Sequence, residues 1–352
     1  MAGKLKVGVI GAGMISEDHL GGYTKDSRVT VVWIADIIEE RAKKRVAQYK
    51  VGRPVADYKK VLHEVDAVSV CTPPFAHVQP TLDAAKAGRH VLVEKPMSMV
   101  AKEAKAMADA CAAAKVKLGL CSARASLRTD IETAREYVAA GKLGEVYYSR
   151  VTSLRQRGRP GLDFWPDVTW FLDKKKSGGG AINDIGCYDI DVLMYILGGP
   201  KPVSVNAVWA TEIGSQRVPK GVIHNTEEHV THMVRFADGS AAVFETAWAA
   251  NMDGDDFVIY GKKGGLRISK AWGKPGLTFY GEDKNGKFVK EKVELKGTCE
   301  SLQADFVSAC LGQKKTGQPN TPGRVGYMIM QVIEGALKSA KEGREIKLPE
   351  MK

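Results

Sequence analysis

The sequence predicts an α/β protein in which a doubly wound parallel sheet is followed by a second domain built on a mostly antiparallel sheet. Two patterns predict it. In the first third of the 352-residue chain, short apolar runs of strand length alternate with amphipathic helical segments, as in parallel sheets covered by helices on both faces. Beyond residue 124, longer runs alternate between apolar and polar residues, which is typical of antiparallel strands. We therefore place the first domain at 1–123 and the second at 124–352.

Strand-like and helical segments follow in regular order. The first domain is expected to hold strands at Leu5–Ile10, Val29–Ala35, 67–71, His90–Val93 and 116–121, with helices near 37–49, 77–87 and 99–114. The second is expected to hold helices near 130–140 and 181–197, strands at 146–152, 202–209, His229–Phe236 and 241–248, and closing helices near 299–311 and 321–342. Asp238-Gly239 and Asn285-Gly286 suit hairpin turns. We expect the closing helices to pack back near the first domain.

Composition excludes several classes of protein. With 44% hydrophobic and 26% charged residues, the chain is an ordinary globular one rather than a fibrous or disordered one. No run approaches the ~18 uncharged apolar residues of a membrane span, and the first six residues lead into a strand rather than a signal sequence. We therefore expect a cytoplasmic protein without a membrane partner. Six scattered cysteines, none in a Cys-x-x-Cys pair, indicate reduced thiols and no metal site.

The net charge of +11 does not by itself predict nucleic-acid binding. Lys and Arg are interleaved with Glu and Asp, as in the stretch 39–45, which is typical of solvated helix faces. The densest basic run without acids, 155–159, is short and better suits contact with an anionic or polyhydroxyl small molecule. We therefore expect a small-molecule partner and no nucleic acid.

A glycine-rich turn follows the first strand. Gly11-Ala-Gly13-Met14-Ile15-Ser16 is a variant of the dinucleotide-binding motif, in which the first glycine permits a tight turn and the second lets backbone N–H groups approach a pyrophosphate. Ser16 replaces the third glycine at a packing position where a small residue suffices. The turn follows a strand, opens a helix and precedes an acid at the end of the second strand. We therefore expect Gly11, Gly13, Met14 and Ile15 to bind a dinucleotide.

That acid, Asp36, bears on which dinucleotide binds. A carboxylate accepts both hydrogen bonds of an adenosine ribose diol and repels a 2′-phosphate at the same place, so NAD is favoured. Ile37 and Ile38 offer no phosphate-binding group beside it, although Arg41, one turn further on, leaves NADP as the alternative. The plainer interpretation of Asp36 is a helix N-cap, and both roles can coexist.

Two further segments follow predicted parallel strands, at the edge where doubly wound sheets place their ligand crevice. In the first, Thr72, Pro73 and Pro74 form a rigid turn that can pass beside the nicotinamide half of the cofactor. His77 ends this segment, and we expect it to stabilise the turn or start a helix rather than to act as an acid or base. All four residues are assigned to the predicted cofactor site.

The second segment is Glu94-Lys95-Pro96, a charged pair at the end of a buried strand. A lysine close to a positively charged nicotinamide has its ammonium form disfavoured, and it can hold a substrate hydroxyl or exchange its proton. We therefore assign Glu94 and Lys95 to the cofactor site and Lys95 to catalysis. The alternative is a structural ion pair between the two side chains.

The chemically richest helix begins after Gly178-Gly-Gly180 and runs to about residue 197. Asp184, Tyr188 and Asp191 fall at positions i, i+4 and i+7, so we expect their side chains to share one face. A polar stripe on an otherwise apolar helix faces water, a partner or a substrate. The alternative is a capping Asp184 and a solvated stripe.

The segment 155–170 mixes cations, aromatic residues and turn residues between two regular elements, which is typical of loops that cover a site. Trp165 and Trp170 suit either stacking against the C–H face of a sugar or filling of the domain interface. Arg157 in this segment, and Arg124 just beyond the last strand of the first domain, are further candidate substrate contacts.

These motifs resemble those of the glucose–fructose oxidoreductase / inositol dehydrogenase / rhizopine-catabolism (Gfo/Idh/MocA) family. The likeness spans most of the chain and rests on the segments 11–13, 71–77, 87–96, 178–191 and 336–346. It implies an N-terminal Rossmann domain and a C-terminal α+β domain whose open sheet holds substrate on one side and commonly a partner subunit on the other. The resemblance thus implies a homo-oligomer, dimer or tetramer, formed through the C-terminal sheet.

The resemblance also bears on the acid/base residue. The family usually has His where this chain has Tyr188, and some of its sugar and dihydrodiol oxidoreductases have Tyr there. We therefore expect Tyr188 to donate and accept the proton.

Together these features predict an NAD-dependent oxidoreductase that interconverts a secondary hydroxyl and a ketone of a sugar, glycoside or polyol. In this hypothesis Tyr188 exchanges the hydroxyl proton, Lys95 positions the oxygen and favours the tyrosinate, and Asp184 holds a neighbouring hydroxyl or the lysine. One alternative is an NAD-dependent glycosidase that oxidises, eliminates and re-reduces its substrate. The other is a non-catalytic NAD-binding regulator, against which the presence of all three residues argues.

Overall fold

A computed structural model describes residues 3–213, 218–268, 274–283 and 285–349. The chain divides into two compact units, called here the first and the second unit. The first unit is Met1–Arg124 with Glu300–Tyr327, and the second is Ala125–Cys299 with Met328–Lys352. The stretch 300–327 therefore groups with the first unit, whereas the sequence analysis assigned it to the second domain.

The first unit is built on a parallel sheet. Its six strands are β1 (Leu5–Ile10), β2 (Val29–Ala35), β3 (Arg53–Val55), β4 (Ala67–Val70), β5 (His90–Val93) and β6 (Leu118–Leu120), in the order β3-β2-β1-β4-β5-β6. The connecting helices are α1 (Ser16–Lys25), α2 (Glu39–Tyr49), α3 (Val78–Lys86) and α4 (Ala101–Ala113), with short 3-10 helices at Tyr58–Lys60, Leu62–Glu64 and Pro74–Ala76. Strand order reverses between β1 and β4, which is where such sheets bind ligands.

The second unit is built on a nine-stranded sheet. Its strands are β7 (Val146–Leu154), β8 (Pro202–Ala210), β9 (His229–Phe236), β10 (Ala241–Ala247), β11 (Gly254–Gly261), β12 (Gly264–Ile268), β13 (Leu277–Glu282), β14 (Phe288–Lys292) and β15 (Ile346–Lys347). Their order is β14-β13-β12-β11-β7-β10-β9-β8-β15. Among these described strands, β7 and β10 pair in parallel and the other neighbours pair antiparallel. The predicted fold class is confirmed.

The remaining helices are α5 (Ala123–Ser126), α6 (Thr129–Ala139), α7 (Lys174–Ser177), α8 (Cys187–Ile196), α9 (Leu302–Cys310) and α10 (Gly323–Glu342), with a 3-10 helix at Thr169–Leu172. Helix α9 belongs to the first unit because it packs against α1 and because the Arg28 guanidinium binds Ser308 Oγ at 2.9 Å. In the same unit, Leu120 N donates to Thr321 O at 2.9 Å, which attaches the segment before α10 beside β6. These contacts explain why 300–327 groups with the parallel sheet.

Within the described ranges, no helix has both the length and the apolar character that crossing a bilayer requires. A cytoplasmic location and a homo-oligomer stay predictions.

Candidate active site

The glycine-rich turn connects β1 to α1. Gly11 has a φ of +95°, and a Cβ there would lie 2.8 Å from the carbonyl carbon of Cys71, so the turn needs glycine. A Cβ added to Gly13 would meet nothing within 4 Å, so the backbone there faces open space. Ser16 is buried, and its hydroxyl donates to Gly13 O at 2.6 Å. The replacement of the third glycine thus braces the turn and leaves its outer side open for a pyrophosphate.

Asp36 joins this turn to the end of β2. Its carboxylate accepts the N–H of Ala12 at 2.8 Å and that of Ile38 at 2.8 Å. Ile38 occupies the N-cap position of α2 and caps nothing with its side chain, so Asp36 is not the cap residue of that helix. Ile37, beside the carboxylate, is 95% exposed, and Met14 is also exposed, while Ile15 stands at the N-terminus of α1.

The segment after β4 is fixed by His77. The ring is fully buried, with Nε2 2.7 Å from Thr72 O and Nδ1 3.0 Å from Pro96 O. Burial lowers the pKa of His77, which argues against an acid/base role near neutral pH. His77 therefore ties the turn of Thr72, Pro73 and Pro74 to the segment after β5, in line with the turn-stabilising interpretation.

Glu94 is the centre of a buried network at the end of β5. Its carboxylate accepts from His19 Nε2 at 2.9 Å, from Arg124 Nη2 at 2.7 Å and from the backbone N of Lys95 at 3.0 Å. Burial alone would raise the pKa of Glu94, but the charge of Arg124 and the His19 hydrogen bond hold it well below its usual range. Arg124 also binds Asp18 at 3.1 Å. The guanidinium predicted to contact substrate thus holds two carboxylates together.

Three metal-ligand types meet in this network. Atoms of His19, Glu94 and Cys121 lie within 4.8 Å of one another, and all three residues are buried. However, Glu94 Oε1 already accepts from His19 and Arg124, and His19 Nδ1 lies 3.1 Å from Ser69 Oγ. Burial raises the pKa of the Cys121 thiol well above its usual value. We therefore interpret the group as a hydrogen-bonded network under α1.

In the second unit, the segment carrying Asp184 departs from the predicted helix. Ile182–Gly186 forms a π-helical turn, and α8 begins only at Cys187. Asp184 and Tyr188 therefore do not belong to one continuous α-helix, and the shared face expected for their side chains stays a prediction. Tyr188 and Asp191 are buried, which excludes the solvated stripe.

Asp184 has a partner that the sequence analysis missed. Its Oδ2 accepts the indole N–H of Trp248 at 2.8 Å, and Trp248 is fully buried directly after β10. Residues 184 and 248 are far apart in sequence, so no local pattern links them. Ala181 occupies the N-cap position of the π-helical turn, so Asp184 is not the capping residue.

The segment 155–173 contributes aromatic rings to the same part of the second unit. Trp170 stacks on Phe171 with centroids 3.9 Å apart, and Phe171 meets Trp248 edge-on at 6.4 Å. Trp165 is 50% exposed and has a φ of +50°, a strained value for a bulky residue. Such strain concentrates at functional sites. The exposed Arg157 binds Asn251 Oδ1.

The basic run 155–159 was predicted to contact an anionic or polyhydroxyl ligand, but one of its arginines is buried and forms ion pairs. Arg159 is 3% exposed and pairs with Asp163 at 2.8 Å and with Glu228 at 3.2 Å. The spacing from Arg159 to Asp163 was a signal for the first of these pairs, whereas Glu228 is distant in sequence. Arg159 therefore anchors the segment to the residue before β9.

Two buried carboxyl groups of the second unit lack a cationic partner among the hydrogen bonds described. Asp189 accepts from the hydroxyls of Ser153 at 2.9 Å and Thr246 at 3.1 Å, and burial raises its pKa to about 7. Glu227 accepts from Gly180 N at 2.6 Å, and burial raises its pKa to about 7 as well. Asp189 directly follows Tyr188 in α8, and Glu227 binds the backbone just before the π-helical turn that carries Asp184.

These two groups make stability depend on pH. Their pKa values in the unfolded chain are about 4, so they contribute stability that is fully present below about pH 4 and is lost as pH rises through about 7. We expect the free energy of unfolding to be lower at about pH 8 than at about pH 5. In Asp189→Asn this difference should be smaller by at least about 1 kcal/mol. Urea unfolding across this range measures it, with the exposed Asp167→Asn as the control. Parallel profiles for Asp189→Asn and the parent would contradict the raised pKa.

Comparison with known proteins places the chain in a family. Residues 5–121 match the profile of an oxidoreductase family with an NAD-binding Rossmann fold, and residues 131–267 match the GFO/IDH/MocA C-terminal domain. The chain belongs to the Gfo/Idh/MocA family. As a member of this family it is an oxidoreductase that uses a nicotinamide cofactor, and the resemblance inferred from the motifs is confirmed.

Several family members align with almost the whole chain. A D-glucoside 3-dehydrogenase from Escherichia coli (strain K12) is 28% identical, covering 98% of this chain and 97% of that protein. A 1,5-anhydro-D-fructose reductase from Ensifer adhaerens is 27% identical, covering 96% of each. The structure of a levoglucosan dehydrogenase in complex with NADH and levoglucosan matches with a TM-score of 0.85 at 22% identity, covering 99% of this chain and 100% of that one. That last likeness concerns the fold.

Proposed function

We propose that the protein is an NAD-dependent dehydrogenase that interconverts a secondary hydroxyl and a ketone on a sugar, glycoside or polyol. The observation that carries the proposal is the half-buried carboxylate of Asp184, which accepts the indole N–H of Trp248. The same unit contains the stacked rings of Trp170 and Phe171. Carboxylates and aromatic faces are groups that recognise polyhydroxyl compounds, through hydrogen bonds and C–H contact respectively. The names of the related enzymes, which act on D-glucosides and 1,5-anhydro-D-fructose, support the same substrate class.

The first unit fits a dinucleotide. The open backbone at Gly13 and the N-terminus of α1 suit a pyrophosphate, and the Asp36 carboxylate suits the ribose diol of NAD and repels the 2′-phosphate of NADP. The turn of Thr72, Pro73 and Pro74 is assigned to the nicotinamide half. Bound NAD supplies the hydride acceptor.

Three side chains carry the proposed proton transfer and substrate positioning. Tyr188 takes the hydroxyl proton during oxidation, Lys95 orients the substrate oxygen and favours the tyrosinate, and Asp184 holds a neighbouring hydroxyl. The exposed Trp165 and the stacked Trp170 are assigned to the sugar's C–H face.

A panel of sugars, polyols and glycosides tests the proposal. We expect at least one compound to give NADH and a keto product in equal amounts when incubated with NAD and the protein. A cleaved glycoside without net NADH would identify the oxidising and re-reducing glycosidase instead. Tight NAD binding with no product from any compound would indicate a regulator.

Cofactor choice is tested by Asp36→Ala. We expect NAD to bind about tenfold more weakly, and the preference over NADP to narrow, because the variant loses the diol acceptor and the charge that repels the 2′-phosphate. Calorimetric titration with both cofactors measures it. Asp57→Ala is the matched control, since Asp57 also accepts a backbone N–H, that of Lys59, elsewhere in the first unit. Unchanged affinities for both cofactors would show that Asp36 does not contribute to cofactor binding and serves only as the acceptor for the N–H groups of Ala12 and Ile38.

A further inference from the structure

Trp248 is the described donor to the carboxylate of Asp184. Its indole follows β10, is fully buried, and places Nε1 2.8 Å from Oδ2. A buried indole N–H needs an acceptor, so the bond satisfies Trp248. It also restrains one oxygen of a carboxylate, and bonds to charged acceptors are stronger than those to neutral ones. Such a bond can stabilise the buried indole or orient the carboxylate.

The packing of Trp248 makes it a rigid donor. It forms a buried core cluster with Leu172, Ala181 and Ile185, and Phe171 meets its ring edge-on. Ala181 and Ile185 lie on either side of Asp184 in the chain, so the indole packs against the backbone turn that presents the carboxylate. A ring held in this way has one orientation available for its N–H.

Asp184, by contrast, stands on an irregular support. Its π-helical turn, Ile182–Gly186, does not follow the regular hydrogen-bonding pattern of α8, and such turns occur frequently at functional sites. The Asp184 side chain is half-buried, whereas Trp248 is fully buried. A half-exposed carboxylate has more rotamers available than a buried indole, so the bond restricts Asp184 more than it restricts Trp248.

We propose that Trp248 is a positioning residue that fixes the carboxylate of Asp184 for substrate binding. Through Phe171, stacked on Trp170, the same indole connects Asp184 to the segment 155–173. This inference rests on the proposed function, because it assumes that Asp184 contacts the substrate.

A double-mutant cycle tests it. Trp248→Phe keeps an aromatic ring beside Phe171 and removes the N–H donor together with part of the ring volume, and Asp184→Asn removes the charge. With the compound that gives the most NADH in the panel, we expect each single variant to lower kcat/KM about tenfold or more, and the double variant to lose little beyond Asp184→Asn. Trp33→Phe is the matched control, since Trp33 is also fully buried and donates its indole N–H, to Val61 O at 3.2 Å. It should lower the melting temperature without lowering kcat/KM.

The outcomes separate this inference from the proposed function. If Asp184→Asn is slow but Trp248→Phe is as fast as the parent, or if the two losses multiply, Trp248 does not act through Asp184. If Asp184→Asn is as fast as the parent, the proposed role of Asp184 fails and this inference fails with it.

A second measurement leaves Trp248 unchanged, so it does not depend on the folding of a Trp248 variant. In protein labelled with 15N at its indole nitrogens, Asp184→Asn should shift one indole N–H resonance upfield, because a bond to a neutral amide oxygen is weaker than one to a carboxylate. No shifted resonance would show that the bond is absent in solution and would overturn the inference.

Discussion

Lys95→Met should lower turnover by at least about a hundredfold while leaving NAD affinity close to that of the parent. Methionine keeps most of the side-chain volume and removes the charge that orients the substrate oxygen. The backbone N–H of residue 95, which binds Glu94, is unaffected by the change. Steady-state rates with the reactive sugar, calorimetric titration with NAD, and the melting temperature together measure the effect.

The control is Lys86→Met, which removes an exposed lysine at the end of α3 in the same unit and should leave the rate unchanged. If Lys95→Met instead keeps its turnover and loses thermal stability, Lys95 serves the fold. That result would support the structural ion pair considered from the sequence.

Tyr188→Phe should cut turnover on secondary alcohols by about a hundredfold or more, with NAD binding and fold intact. The change removes only the hydroxyl and preserves the packing of a ring that is 9% exposed. A free phenol has a pKa of about 10 and is a poor base at neutral pH, and the proposed mechanism relies on the positive charge of Lys95 to favour the anion.

Tyr188→His should retain more activity than Tyr188→Phe, because imidazole titrates near neutrality and can take the same proton. Rates from about pH 6 to about pH 10 for both variants measure the difference. A Phe variant as fast as the parent, with an unshifted pH profile, would remove Tyr188 from the mechanism and leave Lys95 as the acid/base.

Local patterns predicted the parallel sheet apart from β3 and the strands β7 to β10 of the second sheet, but they did not predict strands β11 to β15. The bounds of β1, β2, β5 and β9 agree with the sequence prediction, because apolar, β-branched runs are buried in both sheets. Strand β3 was missed because it has three residues, contains Pro54 and lies at the sheet edge.

The site was less predictable wherever distant residues set the geometry. The carboxylate partners of Arg124, Asp18 and Glu94, come from other elements of the first unit, so no local pattern predicted them, and a contact of Arg124 with substrate stays a prediction. The bond from Trp248 to Asp184 and the pair of Arg159 with Glu228 join residues that no periodicity connects. The π-helical turn at Ile182–Gly186 likewise depends on packing, since its apolar spacing is also compatible with an α-helix.

In the proposed reaction, the hydrogen on the substrate's carbinol carbon passes directly to the nicotinamide as hydride. A sugar that yields NADH in the panel, deuterated at the oxidised carbon, tests this when incubated with NAD and the parent protein. We expect one deuterium per NADH formed, on C4 of the nicotinamide, together with a slower rate if hydride transfer limits turnover. NADH without deuterium, or deuterium released to water, would contradict direct hydride transfer.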